Sequence, residues 1–94
     1  MTKDERAYLS KVAALGCAIC RRLGYSDSPA CIHHQRTGTG AAKRASHFNV
    51  APLCHEHHLG STGIHGMGRK AFERHYGITE LDLIAETRKA VNCD

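Results

Sequence analysis

The chain has little aromatic side-chain surface and no long apolar run. Its 94 residues include no tryptophan, two phenylalanines and three tyrosines, so the rings that usually dominate a small hydrophobic core are scarce. A domain of this length buries little apolar surface and commonly needs an additional stabilising element such as a structural metal. The scarcity of rings therefore favours metal ligation over a purely hydrophobic core.

The opening residues 1–6 are polar, and no apolar stretch follows them that could serve as a signal peptide or membrane span. We therefore expect a soluble intracellular protein, with no membrane partner and a single domain over 1–94. The five cysteines are an odd number, and thiols stay free in reducing compartments, so zinc thiolates are favoured over disulfides. The formal net charge of +4 favours a polyanionic partner.

Two pairs of soft ligands occur at the spacing that tetrahedral zinc sites use. Cys17 and Cys20 form a C-x-x-C pair, and Cys54 with His57 forms a C-x-x-H pair. Together these four side chains would close the coordination sphere and leave no open position for a substrate. The spacing therefore predicts a structural zinc ion.

Hydrophobic spacing and turn residues predict the order of the secondary-structure elements. In sequence they are a helix over 4–15, a turn over 17–20, strands over 30–36 and 46–53, a short helix opening at Cys54, a linker over 64–66, a helix over 68–76 capped by Gly77, and a last helix opened by Thr79 and Asp82. The last helix is predicted to bury Leu81, Ile84, Ala85 and Val91. This order is that of a treble-clef site and predicts an α+β fold, a small treble-clef-like domain stabilised by zinc, with flanking helices.

The zinc ligands leave several of the eight histidines unexplained, including the adjacent pair His33 and His34. Neighbouring strand residues point to opposite sides, so the two are expected to have different roles. If one binds a metal together with His58, the other can deprotonate a water molecule, because a neutral imidazole is near its pKa at working pH. The metal would stabilise the charge on a scissile phosphate.

A basic loop lies between the two predicted strands. It contains Lys43 and Arg44 beside glycines, which suits contact with phosphates, although a solvated hairpin connection explains the loop equally well. Arg69 and Lys70 on the later helix are also expected to face the phosphate backbone of a polyanionic partner.

The sequence resembles the HNH, or ββα-metal, nucleases, and in particular the RecA-dependent recombination-enhancement branch of phages. The resemblance covers about residues 5–77, through segments such as I-H-H, P-L-C-x-x-H-H and G-I-H-x-x-G. His34, Asn49 and His58 match the His, Asn and His of the motif. The resemblance implies that His33 is a metal ligand, that His34 is the general base and that Asn49 orients the loop that holds the base.

The chain also departs from the family pattern. Many HNH enzymes carry another ligand four residues after the helix histidine, but Thr62 stands there, so His65 is the expected replacement. Cys31 and Cys93 match no ligand. The basic N-terminal arm that helps some members bind DNA is not visible, which implies weak DNA binding or a need for a partner.

The resemblance implies a DNA endonuclease in the cytoplasm of a bacterial host. It implies a catalytic divalent metal (Mg²⁺, Mn²⁺ or Zn²⁺) beside the structural Zn²⁺. A RecA-type recombinase filament is a candidate partner. The rival interpretation is a zinc-stabilised module that binds DNA or protein without catalysis. Such a module needs the four zinc ligands only, so His33, His34 and His58 discriminate between the two.

Overall fold

The computed structural model describes residues 1–25, 28–39 and 45–92. Within these residues the chain forms two strands and six helices, which confirms the α+β class. In order they are α1 (Lys3–Ala14), α2 (Ala18–Arg22), β1 (Cys31–His34), β2 (Val50–Leu53), α3 (His55–Leu59), α4 (Ile64–Met67), α5 (Arg69–Tyr76) and α6 (Glu80–Asn92).

The two strands pair antiparallel, with His33 opposite Ala51 and His34 opposite Val50. All of β2 is buried, because this strand packs against α1, α2, α3 and α6 as well as against β1. Both strands are shorter than predicted. The backbone N–H of Asn49 donates to Ser46 O over 3.0 Å, which closes a turn where the sequence predicted extended chain.

The first helix follows the prediction closely. Thr2 and Glu5 form a reciprocal capping box at its start, and Tyr8 and Val12 are buried. It ends after Ala14, and Gly16 follows with a φ of 77°, a left-handed conformation that glycine adopts without steric cost.

Two segments that were predicted to be irregular are helical. The predicted turn over 17–20 is the start of α2, for which Cys17 is the N-cap residue. The predicted linker over 64–66 lies inside α4, where the N–H of Met67 donates to Gly63 O over 2.8 Å and closes a helical turn. Both helices are too short to show a hydrophobic period, which is why the sequence pattern did not reveal them.

The main core is formed by the helices that pack on β2. Its largest fully buried side chains include Ile19, Leu53, Phe72 and Leu83. Phe72 is on α5, which ends as predicted at Gly77, with a φ of 68°. The last helix, α6, packs against β2 and α1.

The predicted apolar face of α6 is wrong at two positions. Leu81 and Ala85 are exposed, whereas the helix buries Glu80, Leu83, Ile84 and Thr87. Two of these buried residues are polar and are accommodated by hydrogen bonds, including that from Thr87 Oγ1 to Leu83 O over 2.7 Å. A search for apolar residues alone could not find a buried face of this kind.

Candidate metal centres

Cys17, Cys20, Cys54 and His57 converge on one point between α2 and α3, with their ligand atoms within 4.8 Å of one another. His57 Nδ1 lies 3.5 Å, 3.4 Å and 3.2 Å from the three Sγ atoms in that order, and Cys20 Sγ lies 3.8 Å from Cys54 Sγ. A regular tetrahedron around zinc has edges of about 3.8 Å between sulfurs and about 3.5 Å between sulfur and nitrogen, given the usual bond lengths. The four side chains therefore fit a zinc ion.

Each ligand pair is arranged by the first turn of a helix. Cys17 caps α2 and Cys54 caps α3, and the Sγ atoms accept the backbone N–H of Cys20 over 3.4 Å and of His57 over 3.5 Å. A cysteine at the N-cap position and a ligand three residues later then lie on the same side of the helix. The geometry of the first helical turn therefore explains why two residues separate the ligands in each pair.

The surroundings of the cluster shift the pKa values of two of its thiols, those of Cys17 and Cys54. Burial raises the pKa of Cys17 to about 11. Burial also acts to raise the pKa of Cys54, but hydrogen bonds from the His57 backbone and from the Cys17 and Cys20 thiols outweigh burial and lower it. A cluster of thiolates at this depth needs a cation to replace the protons, because the thiolate is the metal-binding form.

His33, His58 and His65 form a second cluster, with ligand atoms again within 4.8 Å. The ring centroids are 5.3 Å apart for His33 and His58, 5.1 Å for His33 and His65, and 4.8 Å for His58 and His65. The three residues come from β1, α3 and α4, so the cluster lies where the sheet meets two short helices. These are the three side chains predicted to bind the catalytic metal.

Two glycines allow α4 to approach α3 closely enough to form this cluster. A Cβ atom at Gly63 would lie 2.5 Å from Glu56 O, and one at Gly66 would lie 1.9 Å from Gly60 O. Any larger residue would push the two backbones apart. The result of this close approach is that His65 stands beside His58.

Two of the three histidines have a buried ring nitrogen that is available to a metal. His33 Nδ1 and His58 Nδ1 are buried and have no hydrogen-bond partner within the described parts of the chain. A buried polar atom without a partner costs free energy, and a bound ion is one way to satisfy it. Imidazole nitrogens also suit zinc and related divalent metals.

Burial keeps His58 and His65 neutral at pH 7. Burial lowers the pKa of His58 to about 4, and the charges of His33 and His65 act in the same direction. Burial also lowers the pKa of His65, assisted by His33 and Arg36. At neutral pH the imidazoles of His58 and His65 therefore have a free lone pair, which is the form that binds metals.

Glu80, to which the sequence analysis gave no role, contacts this cluster directly. Its Oε2 lies 2.6 Å from His33 Nε2, and both side chains are buried, at 0% and 1% exposed. Burial acts to raise the pKa of the carboxyl, but hydrogen bonds from His33, Thr37 and Arg36 outweigh it and lower the pKa to about 2. A glutamate in the first turn of a helix carries no sequence signal that would connect it with a histidine 47 residues earlier.

His34 lies on the other side of the strand from His33 and is half-buried. Its Nε2 is 3.0 Å from Nδ1 of His47, a histidine that the sequence analysis also missed. Burial lowers the pKa of His34, as do the charges of His47 and His33. The two neighbouring histidines thus have different surroundings, as strand alternation predicts.

Asn49, the middle residue of the predicted His-Asn-His motif, connects the turn before β2 with the rest of the domain. Its backbone O accepts from the N–H of Gln35 over 3.0 Å, and its side-chain oxygen accepts from Arg88 on α6. It therefore holds the loop that also carries His47.

The basic residues predicted to contact DNA fall into two groups. Lys43 and Arg44 lie outside the described residues. Lys70 is exposed, and Arg69 lines a cavity of about 300 Å³ together with Arg36, Ile64, His65 and Gly68. The cavity therefore brings two guanidinium groups beside a histidine of the second cluster.

The fold and these two centres define a small α+β domain with two groups of side chains that could each hold a metal ion. Compared with known protein families, residues 1–91 match the family described as recombination enhancement, RecA-dependent nuclease. The chain belongs to that family, which confirms the resemblance to its members and supports a nuclease role in recombination with DNA as substrate. No curated protein and no solved structure matches the chain.

None of the described helices has both the length and the apolar character needed to cross a membrane. Cys17, Cys20, Cys31 and Cys54 are free thiols, while Cys93 lies outside the described residues. Cys31 is exposed on β1 and belongs to neither cluster.

Proposed function

We propose that this chain is a metal-dependent HNH endonuclease that hydrolyses phosphodiester bonds of DNA. The observation that carries the proposal is the second cluster, His33, His58 and His65, next to the hydrogen-bonded pair of His34 and His47. A zinc-stabilised binding module would use the cysteine cluster alone. Such a module has no use for His33 Nδ1 and His58 Nδ1, two buried ring nitrogens without a hydrogen-bond partner among the described residues, because each of them costs free energy.

The three histidines of the second cluster would bind the catalytic divalent metal, Mg²⁺, Mn²⁺ or Zn²⁺. Such an ion acts as a Lewis acid that stabilises the charge on phosphorus and on the leaving oxygen. Fewer than four protein ligands leave coordination positions for a substrate, in contrast with the four-ligand cysteine cluster. We assign structural Zn²⁺ to Cys17, Cys20, Cys54 and His57.

We assign the general base to His34, with His47 as the residue that orients it. One imidazole of the pair must donate its N–H to the other, so one outer ring nitrogen remains free to accept a proton. If His34 Nε2–H donates to His47 Nδ1, the free acceptor is His34 Nδ1; in the opposite tautomer it is His47 Nε2. The lowered pKa of His34 keeps it neutral and able to accept a proton from water.

The cavity beside His65 would receive a phosphate of the DNA backbone. Arg36 and Arg69 line it, and a guanidinium group suits bidentate contact with phosphate oxygens. Arg69 donates to Glu73 over 3.1 Å and has further N–H groups available for a phosphate. Lys43 and Arg44 in the basic loop, together with Lys70, would extend this contact along the backbone.

We further propose that residues 1–94 form a single HNH domain of phage origin that works in the cytoplasm of a bacterial host. The family match over residues 1–91 supports one domain and a RecA-dependent context. A RecA-type filament would then present the DNA.

Plasmid nicking tests this function. The purified chain, chelated and reloaded with one equivalent of zinc, is incubated with supercoiled plasmid and Mg²⁺, Mn²⁺ or further Zn²⁺, with and without a recombinase filament on homologous DNA. We expect nicking that requires added metal and is lost in His58→Ala. A folded, metal-loaded chain that never cuts under any of these conditions would favour the binding module instead.

A further inference from the structure

The carboxylate of Glu80 is the most completely satisfied buried polar group near the second cluster. Besides His33, it accepts the backbone N–H of Arg36 over 3.0 Å to each oxygen, the N–H of Thr37 over 2.8 Å and the Thr37 hydroxyl over 2.7 Å. All of these groups act as donors, so the carboxylate accepts only, as an ionised carboxylate does.

This arrangement determines the tautomer of His33. His33 Nε2 lies 2.6 Å from Glu80 Oε2. Because an ionised carboxylate can only accept, Nε2 must carry the proton, and the lone pair of the neutral ring is then on Nδ1. His33 Nδ1 is one of the buried atoms that have no hydrogen-bond partner within the described chain. The ring of His33 lies close to the rings of His58 and His65. Nδ1, the nitrogen that Glu80 does not use, therefore offers its lone pair to a metal bound by the cluster.

Glu80 is itself held in place from α5. Its backbone N–H donates to Glu73 Oε2 over 2.8 Å, and Glu73 pairs with Arg69 over 3.1 Å. A continuous set of contacts therefore leads from Arg69, which lines the cavity, through Glu73 and Glu80 to His33. Each of these side chains has at least one partner that restricts its rotamer.

We propose that Glu80 is a positioning residue for His33: it fixes the imidazole as the Nε2–H tautomer and so sets the affinity of the three-histidine cluster for a divalent metal. Outer carboxylate partners of metal-binding histidines raise ligand basicity and fix ring orientation, and their loss typically weakens metal binding about 10-fold to 100-fold. The inference rests on the proposed metal-binding role of the cluster, but it does not require the chain to cut DNA.

Mn²⁺ binding to the full chain, followed by electron paramagnetic resonance, tests the affinity. The cysteine cluster is first loaded with one equivalent of zinc, since thiolates select zinc over Mn²⁺. Glu80→Gln should bind Mn²⁺ about 10-fold to 100-fold more weakly than wild type. Glu86→Gln is the matched control, because Glu86 is on the same helix but is exposed and pairs with Arg22, and it should bind as wild type does.

A second, independent experiment determines the tautomer of His33. It measures the ¹⁵N chemical shifts of the ring in the zinc-loaded chain without Mn²⁺. Wild type should show the proton on Nε2, and Glu80→Gln should show a mixture, because an amide can donate to the ring or accept from it. A wild-type His33 with its proton on Nδ1 overturns the proposal whether or not the variant folds. Unchanged Mn²⁺ affinity in a folded Glu80→Gln chain overturns it too.

The plasmid assay separates this inference from the proposed function. Wild type that binds Mn²⁺ in a Glu80-dependent manner but cuts no DNA refutes the nuclease mechanism and supports the role of Glu80. Wild type that cuts, with Glu80→Gln binding Mn²⁺ as tightly, supports the nuclease and refutes the role of Glu80.

Discussion

Arg88, on α6, donates a hydrogen bond to the side-chain oxygen of Asn49, which stands 39 residues earlier in the turn before β2. The same nitrogen of Arg88 donates to the backbone O of Phe48 over 3.0 Å. One guanidinium group therefore ties the turn that carries His47 and Asn49 to the last helix. The orientation of that turn depends on α6 as well as on the sheet.

Replacing Arg88 by alanine should loosen this turn without disturbing either metal cluster. A net loss of about 1 kcal/mol is typical of such hydrogen bonds, which corresponds to a decrease of about 4–8 °C in Tm for a domain of this size. Nicking should slow because His47 loses its support. Lys89→Ala is the matched control, since Lys89 is an exposed cation on the same helix.

A double-mutant cycle shows whether Arg88 acts through Asn49. The double variant Arg88→Ala with Asn49→Ala should lose clearly less stability than the sum of the losses in the two single variants, because both substitutions remove the same contact. Additive effects on Tm and on nicking would mean that the two residues act separately.

Removing a ligand from the cysteine cluster should unfold the chain. Structural zinc contributes about 10–16 kcal/mol of binding free energy, which is comparable to or larger than the roughly 5–15 kcal/mol by which a typical domain is stable. Cys17→Ser should therefore lose zinc and give a largely unfolded circular dichroism spectrum. Cys31→Ser, at an exposed free thiol, should melt as wild type does and retain zinc. A Cys17→Ser chain with unchanged Tm and zinc content would show that this cluster does not bind the structural zinc.

The adjacent histidines should separate metal binding from proton transfer. His33→Ala should weaken binding of the catalytic metal, because it removes one of three imidazoles. His34→Ala should melt and bind metals and DNA as wild type does, yet cut about 100-fold to 10,000-fold more slowly, as expected for loss of a general base. Cleavage rate and metal stoichiometry are measured for both. Loss of metal in His34→Ala but not in His33→Ala would exchange the two roles.

Neutralising the arginines of the cavity should reduce the salt dependence of DNA binding. Each lost phosphate contact lowers the slope of log affinity against log salt by about 0.9 for duplex DNA, so Arg36→Gln with Arg69→Gln should lower it by roughly 2. The measurement is fluorescence anisotropy at several salt concentrations. Lys3→Gln, an exposed cation on α1, is the control and should leave the slope nearly unchanged; Lys43→Ala with Arg44→Ala tests the basic loop in the same way.

The lowered pKa of Glu80 predicts an acid-sensitive contribution to stability. The pKa is about 2 in the folded chain against an ordinary value of 4.5, so the unfolded state binds more protons between these values. The stabilisation, on the order of 3 kcal/mol, is present above pH 4.5 and is lost as the pH falls towards 2. The difference in unfolding free energy between wild type and Glu80→Gln, from urea titrations, should be constant from pH 7 to about 5 and shrink below that. A difference that stays constant down to pH 4 would contradict the ionised state of Glu80.

Much of this protein follows from local sequence. The capping of α2 and α3 by cysteine, each with a second ligand three residues later, is a matter of helical spacing, and so the four members of the cysteine cluster could be named from the sequence. Strand alternation likewise separates His33 from His34. The periodicity of α1 and the glycine after α5 determine where those helices begin and end, because backbone hydrogen bonding acts over only a few residues.

Other features were decided by the tertiary structure alone. The buried face of α6 includes Glu80 and Thr87 because their hydrogen-bond partners, rather than their hydropathy, make burial possible. Glu80 meets His33 across 47 residues, and Arg88 meets Asn49 across 39, only because α6 packs against β2. His47 reaches His34 through a turn that the sequence predicted to be strand. Contacts of this kind depend on how separate elements pack in space, whereas local sequence determines only the conformation within each element.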